Sequence, residues 1–233
     1  MRVETVWKTC TNIFPIYKMH LLELFCGTKS ISRVFEQHGW TTTTLDFNEK
    51  TDPTICCDIL EVTDEMLELF VKPDAIWASP LCTHYSRART TAKTPRDLLG
   101  SDKLVRKVLD IAAYFGCPYF MENPHSGLLR TRDVVSGIPM RVLDYCQYAD
   151  EEYPGRYRKR TSVWTNTEWY PYRPLCIKNM CHFCTNGKNH DHFAQRVSLS
   201  GNPQSLDQLY SIPSALPEEI CAWLTANLEE NEE

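Results

Sequence analysis

The chain has 233 residues, of which 42% are hydrophobic and 24% are charged, and its formal net charge is −5. This length fits one large domain, or one domain with a small appendage, and the composition allows a sizeable core. The negative net charge is by itself unfavourable for binding a polyanion. No stretch of the sequence approaches the roughly 18 apolar residues of a membrane span.

The cysteines and the first residues indicate a reducing compartment. The chain has eleven cysteines, and the first 18 residues scatter charges without the continuous apolar core of a secretory signal. Outside the secretory pathway, thiols serve as reduced side chains, metal ligands or catalytic groups more often than as disulfides. We therefore expect a cytoplasmic protein that is not secreted and has no membrane partner.

Strand and helix patterns alternate along the first part of the chain. Short apolar or β-branched runs predict five strands, and stretches with apolar residues at helical spacing predict the helices between them. The predicted strands cover 18–25, 40–47, 54–60, 73–80 and 118–124, and the helices cover 29–39, 63–72 (N-cap Thr63) and 101–116 (N-cap Ser101, stop at Gly116). This alternation predicts a doubly wound, parallel α/β sheet.

The pattern changes beyond residue 170. Residues 171–205 are rich in Pro, Asn, Cys, His and Gly and show little periodicity, whereas 216–230 again predict a helix, which we expect to return to the sheet. The predicted organisation is a main domain over 19–166, a small irregular insert over 167–205, and a C-terminal segment and helix over 206–228.

Each predicted strand ends in polar or reactive residues. Ligands of open α/β sheets bind outside the carboxyl ends of the strands, so these residues are the first candidates for a site. A glycine turn lets a ligand approach the backbone, and an acid after the second strand suits ribose hydroxyls. In strand order the groups are Phe25-Cys26-Gly27-Thr28, Asp46, Asp58, Cys82 and Glu122-Asn123-Pro124.

The stretch "WASPLCTHYSRART" at 77–90 raises two alternatives for Cys82. A lone cysteine after an apolar run is most often buried and inert. The other reading is a nucleophile beside a surface that binds nucleic acid, because basic residues cluster from Arg87 to Arg160 despite the acidic total. The local sequence alone leaves both open.

Four motifs together resemble those of the DNA (cytosine-5) methyltransferases. "LLELFCGTKSIS", "SPLC", "MENP" and "RKRTSVWTN" occur in the order and rough spacing of that family, over about residues 19–166. The resemblance implies a Rossmann-like, S-adenosylmethionine (SAM)-dependent methyltransferase sheet that methylates C5 of cytosine in duplex DNA. The small size is similar to that of phage or viral members, which implies a monomer in the cytoplasm or at the nucleoid, of a host cell if the source is viral.

The resemblance also implies roles for individual residues. Cys82 matches the nucleophile that adds to C6 of a flipped cytosine, and Glu122 matches the acid that faces N3. Arg158 and Arg160 match a pair of arginines, which would stabilise charge at O2. The implied SAM pocket consists of Phe25, Gly27, Thr28, Asp46 (ribose), Phe47 (adenine), Asp58 and Ile59 (adenine edge) and Pro80. The implied DNA contacts are Tyr85, Ser86, Arg87 and Arg89, with ordinary packing as the alternative for Tyr85.

The chain departs from the family pattern at several positions. Lys29-Ser30 stands where the family usually has two glycines, Leu81 interrupts Pro-Pro-Cys, Pro124 replaces a valine, and Arg156 replaces a glutamine. These changes affect the cofactor pocket and leave Cys82 and Glu122 in place. Two rivals therefore stay open: the same chemistry on RNA, and a non-catalytic nucleic-acid-binding module that has lost its SAM pocket.

The insert carries a possible zinc site of its own. Cys176, Cys181, Cys184 and His190 form a C-x4-C-x2-C-x5-H array, which suits a tetrahedral structural Zn²⁺. A segment this short and polar lacks a core, and a metal would stabilise it. His192 is the alternative fourth ligand, and a set of metal-free loop cysteines is the alternative to the whole site. The family keeps its target-recognition region here, usually larger, so we expect short or relaxed sequence specificity.

Overall fold

The computed structural model of the chain describes residues 18–89, 92–149, 157–177, 179–184, 190 and 206–229. Within these ranges, seven strands form one sheet that is accompanied by helices and short 3-10 turns. The strands are β1 (His20–Leu24), β2 (Thr41–Asp46), β3 (Ile55–Cys56), β4 (Ala75–Ala78), β5 (Tyr119–Pro124), β6 (Met140–Asp144) and β7 (Arg160–Thr165). The helices are α1 (Ser32–Gln37), α2 (Asp64–Leu67), α3 (Leu98–Phe115), α4 (Leu206–Tyr210) and α5 (Ala215–Glu229).

The strand order is β3-β2-β1-β4-β5-β7-β6, and it reverses between β1 and β4. Strands β1 to β5 pair in parallel, whereas β7 runs antiparallel to both β5 and β6. The predicted doubly wound α/β fold is confirmed, and the five predicted strands pair in parallel, while β7 adds an antiparallel strand that was not predicted. Strands β6 and β7 were not predicted, since the position of β7 depends on its pairing with β5, about forty residues earlier in the chain.

The sheet separates two apolar layers. Successive strand residues point to opposite faces, so Ile76 joins one core cluster and Trp77 the other. The first layer includes Val105, Val108 and Ile111 of α3. The second includes residues of α1 and α5 packed on Leu21, Trp77 and Phe120. Helix α5 therefore packs against the sheet as predicted, while the division into a main domain, an insert and a C-terminal segment stays a prediction.

The helix ends show where local sequence signals were sufficient. Thr63 caps α2 as predicted, accepting a hydrogen bond from the N–H of Met66 at 3.3 Å, and α3 stops at Gly116, which has a φ of 64°. The predicted Ser101 cap is wrong: α3 begins at Leu98, and the Asp97 carboxylate accepts from the N–H of Gly100 at 2.7 Å. Ser101 lies inside the helix and is buried.

No side chain at the N-cap position of α1 accepts a hydrogen bond from the helix, and a side chain of the sheet does so instead. The N–H of Ser32 donates to Glu23 Oε2 on β1 at 3.0 Å. Burial raises the pKa of Glu23 to about 7, against the opposing effect of its hydrogen bonds with Ser32. No helix in the described ranges is long and apolar enough to cross a membrane.

Candidate active site

The turn after β1 is strained and is held by the acid that ends β2. Phe25, Gly27 and Lys29 all have positive φ values, of 58°, 46° and 55°, and a left-handed backbone costs a non-glycine residue about 1–2 kcal/mol. The N–H of Gly27 donates to Asp46 Oδ2 at 3.1 Å, and the N–H of Asn48 donates to Oδ1 at 2.9 Å. Such strain is retained where surrounding contacts impose it, commonly at ligand sites.

The other predicted cofactor residues lie at the same edge of the sheet, with different exposure. Phe47 is 60% exposed and Asp58 is exposed, so an aromatic ring and a carboxylate are accessible there. The side chain of Ile59 is buried in the core, which leaves only its backbone to face a ligand. A Cβ placed on Gly27 would meet only the carbonyl oxygen of Phe25, at 3.9 Å, so the space above this glycine is open.

Lys29 and Ser30, which stand where the family usually has two glycines, both make hydrogen bonds to other parts of the chain. The Ser30 hydroxyl accepts a hydrogen bond from the N–H of Ile212 at 3.2 Å and contacts Thr28 Oγ1 at 2.6 Å. Lys29 reaches across to the carbonyl and the carboxylate of Asp52. The pair thereby connects the first turn to the C-terminal segment and to the loop after β2.

Cys82 and Glu122 meet because β4 and β5 are neighbours. The carboxamide of Asn123 donates to the carbonyl of Pro80 at 2.9 Å and so ties the end of β5 to the loop that carries Cys82. Glu122 is buried, and its Oε1 accepts from the hydroxyl of Tyr145 at 3.2 Å and from that of Thr161. The motifs identified Cys82 and Glu122. Tyr145 lies in none of these motifs, and Thr161 lies within "RKRTSVWTN" but was not predicted as a site residue.

The Cys82 thiol is half-buried and its protonated form is favoured. Burial raises its pKa, the charge of Glu122 raises it further, and the ammonium of Lys159 acts in the opposite direction. Lys159 also lies 4.6 Å from the centre of the Tyr145 ring and donates to the carbonyl of Leu209 at 3.4 Å. Lys159 was not predicted as a site residue, although it lies between the two arginines that were.

Both predicted arginines bind one buried acid. Arg160 donates to Asp144 through Nε at 3.0 Å and Nη2 at 2.8 Å, and Arg158 Nε lies 3.4 Å from the same carboxylate. Burial opposes the charge of Asp144, but Arg160, the N–H of Cys176 and Arg158 outweigh it and lower the pKa. Asp144, which was not predicted, therefore orients Arg160. Arg156 lies outside the described residues.

The residues after Cys82 that were predicted to contact DNA differ in exposure and already make contacts within the protein. Tyr85 is completely buried and its hydroxyl donates to Asp102 at 2.8 Å, so the prediction that it contacts DNA is wrong and packing is its role. Arg89 binds the carbonyls of Thr94 at 2.9 Å and Pro95 at 3.3 Å. Ser86 is half-buried, with its Oγ accepting from the N–H of Ala88 at 3.2 Å, whereas Arg87 is exposed.

The predicted metal array is only partly assembled. The ligand atoms of Cys146, Cys176, Cys181 and His190 all lie within 4.8 Å of one another. Cys184 is not in this group, and its place is taken by Cys146, which lies in the 3-10 turn after β6. Cys184 as a ligand stays a prediction, and Cys146 was not predicted because the spacing of nearby cysteines cannot reveal a ligand thirty residues upstream. His192 lies outside the described residues.

Comparisons with known proteins give one substantial relative. No family model matches the chain. A protein of Frog virus 3 (isolate Goorha), named a probable DNA (cytosine-5)-methyltransferase, is 33% identical over an alignment of 178 residues that covers 70% of this chain and 78% of the relative.

Two solved structures show weaker likeness. A Dnmt2 methyltransferase of S. pombe is 14% identical, with a TM-score of 0.45, over 69% of this chain and 57% of its own. The methyltransferase EhMeth of Entamoeba histolytica is 16% identical, with a TM-score of 0.46, over 70% and 59%. This chain thus spans less than two thirds of either structure's length.

Proposed function

Because the chain belongs to the cytosine-5 methyltransferase family, we propose that it uses SAM to methylate C5 of cytosine in duplex DNA through a covalent bond to Cys82. The observation that carries this proposal is the hydrogen bond from Asn123, which follows the buried Glu122 in β5, to Pro80, two residues before Cys82. A thiol and an acid on adjacent strand ends are the two groups that activation of a cytosine ring requires.

The residues at the edge formed by β1, β2 and β3 fit SAM. An exposed ring at Phe47 suits the adenine, and exposed Asp58 suits its edge. The strained turn offers its backbone, with open space above Gly27. When bound there, SAM supplies an electrophilic methyl group. Asp46 holds the turn with both oxygens, and these oxygens retain lone pairs for ribose hydroxyls.

The chemistry of the chain's own residues begins at Cys82. Its thiolate adds to C6 of the cytosine, which forms an S–C6 bond and moves electron density toward N3, O2 and C5. Glu122, in its protonated form, donates a hydrogen bond at N3, and the Arg160 guanidinium stabilises negative charge at O2. C5 thereby becomes a nucleophile toward the methyl group.

The cycle closes by elimination. A base removes the proton from methylated C5, the ring regains its double bond, and the S–C6 bond breaks to release the Cys82 thiolate. Transfer of the thiol proton to Glu122 before the addition would produce both required forms, a thiolate and a neutral acid. The charge of Lys159 favours the thiolate, and neutralising Glu122 removes a charge that disfavours it.

The target base must leave the duplex to reach this pocket, at a cost of a few kcal/mol. Exposed Arg87, five residues after Cys82, suits a backbone phosphate. Arg89 and Ser86 would do so only after releasing their present contacts. Since the Frog virus 3 relative is viral, we also propose that the protein works as a monomer in a host cell, in the cytoplasm or at the nucleoid.

The test is covalent trapping with SAM and duplex DNA that contains 5-fluorocytosine, whose fluorine cannot leave C5 as a cation. We expect an adduct with the wild type and with Cys56→Ala, whose thiol is exposed and remote in the sheet order, and none with Cys82→Ala. A matched fluorinated RNA is tested in parallel. Adducts that form only with RNA would show that RNA, and not DNA, is the substrate. Adducts that still form with Cys82→Ala would overturn the assignment of the nucleophile.

A further inference from the structure

A cluster of three thiols and one imidazole includes Cys146, the residue after Tyr145, whose hydroxyl donates to Glu122. His190 Nε2 is 3.2 Å from Cys181 Sγ and 3.5 Å from Cys176 Sγ, and the fourth atom, Cys146 Sγ, is within 4.8 Å of each. In a tetrahedral zinc site with Zn–S of about 2.3 Å and Zn–N of about 2.0 Å, ligand atoms are separated by roughly 3.5–3.8 Å. The cluster has nearly these dimensions.

The hydrogen-bonding capacity of the cluster also favours a cation. The Cys176 thiol shares hydrogen bonds with the thiols of Cys146 and Cys181, so the three sulfurs and the imidazole converge on one point. The carboxamide of Gln147 donates toward two of the sulfurs, at 3.6 Å to Cys181 and 3.8 Å to Cys146.

The ligands come from two parts of the chain. Cys146 lies in the 3-10 turn that follows strand β6 of the sheet, whereas Cys176, Cys181 and His190 belong to the insert. An ion shared by these residues would fasten the insert to the sheet. Three thiolates and one imidazole are typical of structural Zn²⁺.

We propose that Cys146, Cys176, Cys181 and His190 bind one Zn²⁺, and that this ion fixes the turn at 144–146, which positions the proposed catalytic groups. Within this turn Asp144 holds Arg160, Tyr145 donates to Glu122, and Cys146 is a ligand. The N–H of Cys176 donates to Asp144 Oδ2 at 2.9 Å, which ties a second ligand to the same carboxylate. The positioning part rests on the proposed function, and the metal part does not.

The metal is tested first and without reference to activity. The full chain is purified from zinc-supplemented cells and its zinc content is measured by mass spectrometry. We expect one ion per chain in the wild type and in Cys184→Ser, and a loss of zinc in Cys146→Ser and in Cys181→Ser. Exchange for Co²⁺ should give tetrahedral d–d bands with thiolate charge transfer, which Cys146→Ser weakens and Cys184→Ser leaves unchanged.

Two results would overturn the site. One is a wild type that holds neither Zn²⁺ nor Co²⁺. The other is retention of the ion by Cys146→Ser with loss in Cys184→Ser, which would place the site within the insert alone.

The positioning role is tested on protein from which zinc has been chelated and which keeps its far-ultraviolet circular dichroism. We expect SAM affinity to be unchanged while the rate of trapping of fluorinated substrate falls at least about tenfold. Misplaced catalytic groups lower the rate of the chemical step more than they weaken the binding of SAM. Equal trapping with and without zinc would reject the positioning role and leave the metal site standing. If the wild type binds zinc but never traps substrate, the result would overturn the proposed function and would still support the metal site.

Discussion

The carboxamide of Asn123 donates to the carbonyl of Pro80 at 2.9 Å, so the residue beside the proposed acid holds the loop of the proposed nucleophile. Strands β4 and β5 are parallel neighbours, and their carboxyl ends are therefore at one edge of the sheet. Pairing of the strands brings the two loops near each other, and this hydrogen bond fixes their distance. The relationship leads to the first prediction.

Asn123→Ala should lower the methylation rate by about 10–100-fold with unchanged SAM affinity, because the Cys82 loop loses its anchor to β5. Single-turnover rates and calorimetric SAM binding measure the two quantities. The matched control is Asn166→Ala, which removes the amide contacts at the opposite end of β5, to Tyr119 and Cys117. Equal rate losses in both variants would mean that Asn123 acts only through stability.

Tyr145→Phe should lower the same rate by up to about tenfold, since Glu122 loses one of its two hydrogen bonds, and a single hydrogen bond contributes about 0.5–1.5 kcal/mol. Tyr148→Phe is the control, because Tyr148 is equally buried in the next part of the chain but donates to Glu219, at 3.4 Å. Rates that are reduced alike in the two variants would contradict a specific role of Tyr145 at Glu122.

Alkylation of Cys82 should be slow at neutral pH and should accelerate as pH rises past the ordinary thiol range, because burial and Glu122 raise its pKa. Lys159→Gln should slow it several-fold further by removing the one favourable charge, whereas Lys159→Arg should keep the wild-type rate. Iodoacetamide labelling, resolved by peptide mass spectrometry, gives each rate, with exposed Cys56 as the internal reference.

The control for this charge effect is Lys103→Gln on the exposed side of α3. Labelling of Cys82 that follows Cys56 across the pH range would contradict the raised pKa. A rate that is insensitive to Lys159→Gln would remove Lys159 from the site.

Glu23 should make stability depend on pH. Its folded pKa of about 7 lies above the ordinary 4.5, so the folded chain binds the proton more tightly than the unfolded chain does. The contribution is therefore complete below about pH 4.5 and is lost as pH rises to about 7. Relative to Glu23→Gln, the wild type should lose about 3 kcal/mol of unfolding free energy across this window.

Urea unfolding of both proteins at several pH values measures this difference, and Glu68→Gln on the surface is the control. The unfolding free energies of the wild type and Glu23→Gln could instead differ by the same amount from about pH 4.5 to 7. That result would show that Glu23 does not titrate in this way.

The sequence by itself determined the alternation of β1 to β5 with helices, and with it the groups at the strand ends. Apolar periodicity and turn residues are local signals, and parallel strands bring their carboxyl ends to one edge whatever the details of packing. Local signals were therefore sufficient to identify Cys82, Glu122 and Asp46 as candidates. The motif order added the family, which the viral relative confirms.

The tertiary structure alone decided which distant residues meet. Pairing of β7 with β5 brings Thr161 to Glu122, the turn after β6 brings Cys146 into the metal cluster, and Glu23 caps α1 from the sheet. Burial of Tyr85 was decided in the same way, by Asp102 of α3. These contacts join residues that are separated by about 10 to 40 positions, and such contacts leave no periodic trace in the chain. Their free energy exists only once the strands have paired and water has been excluded from between them.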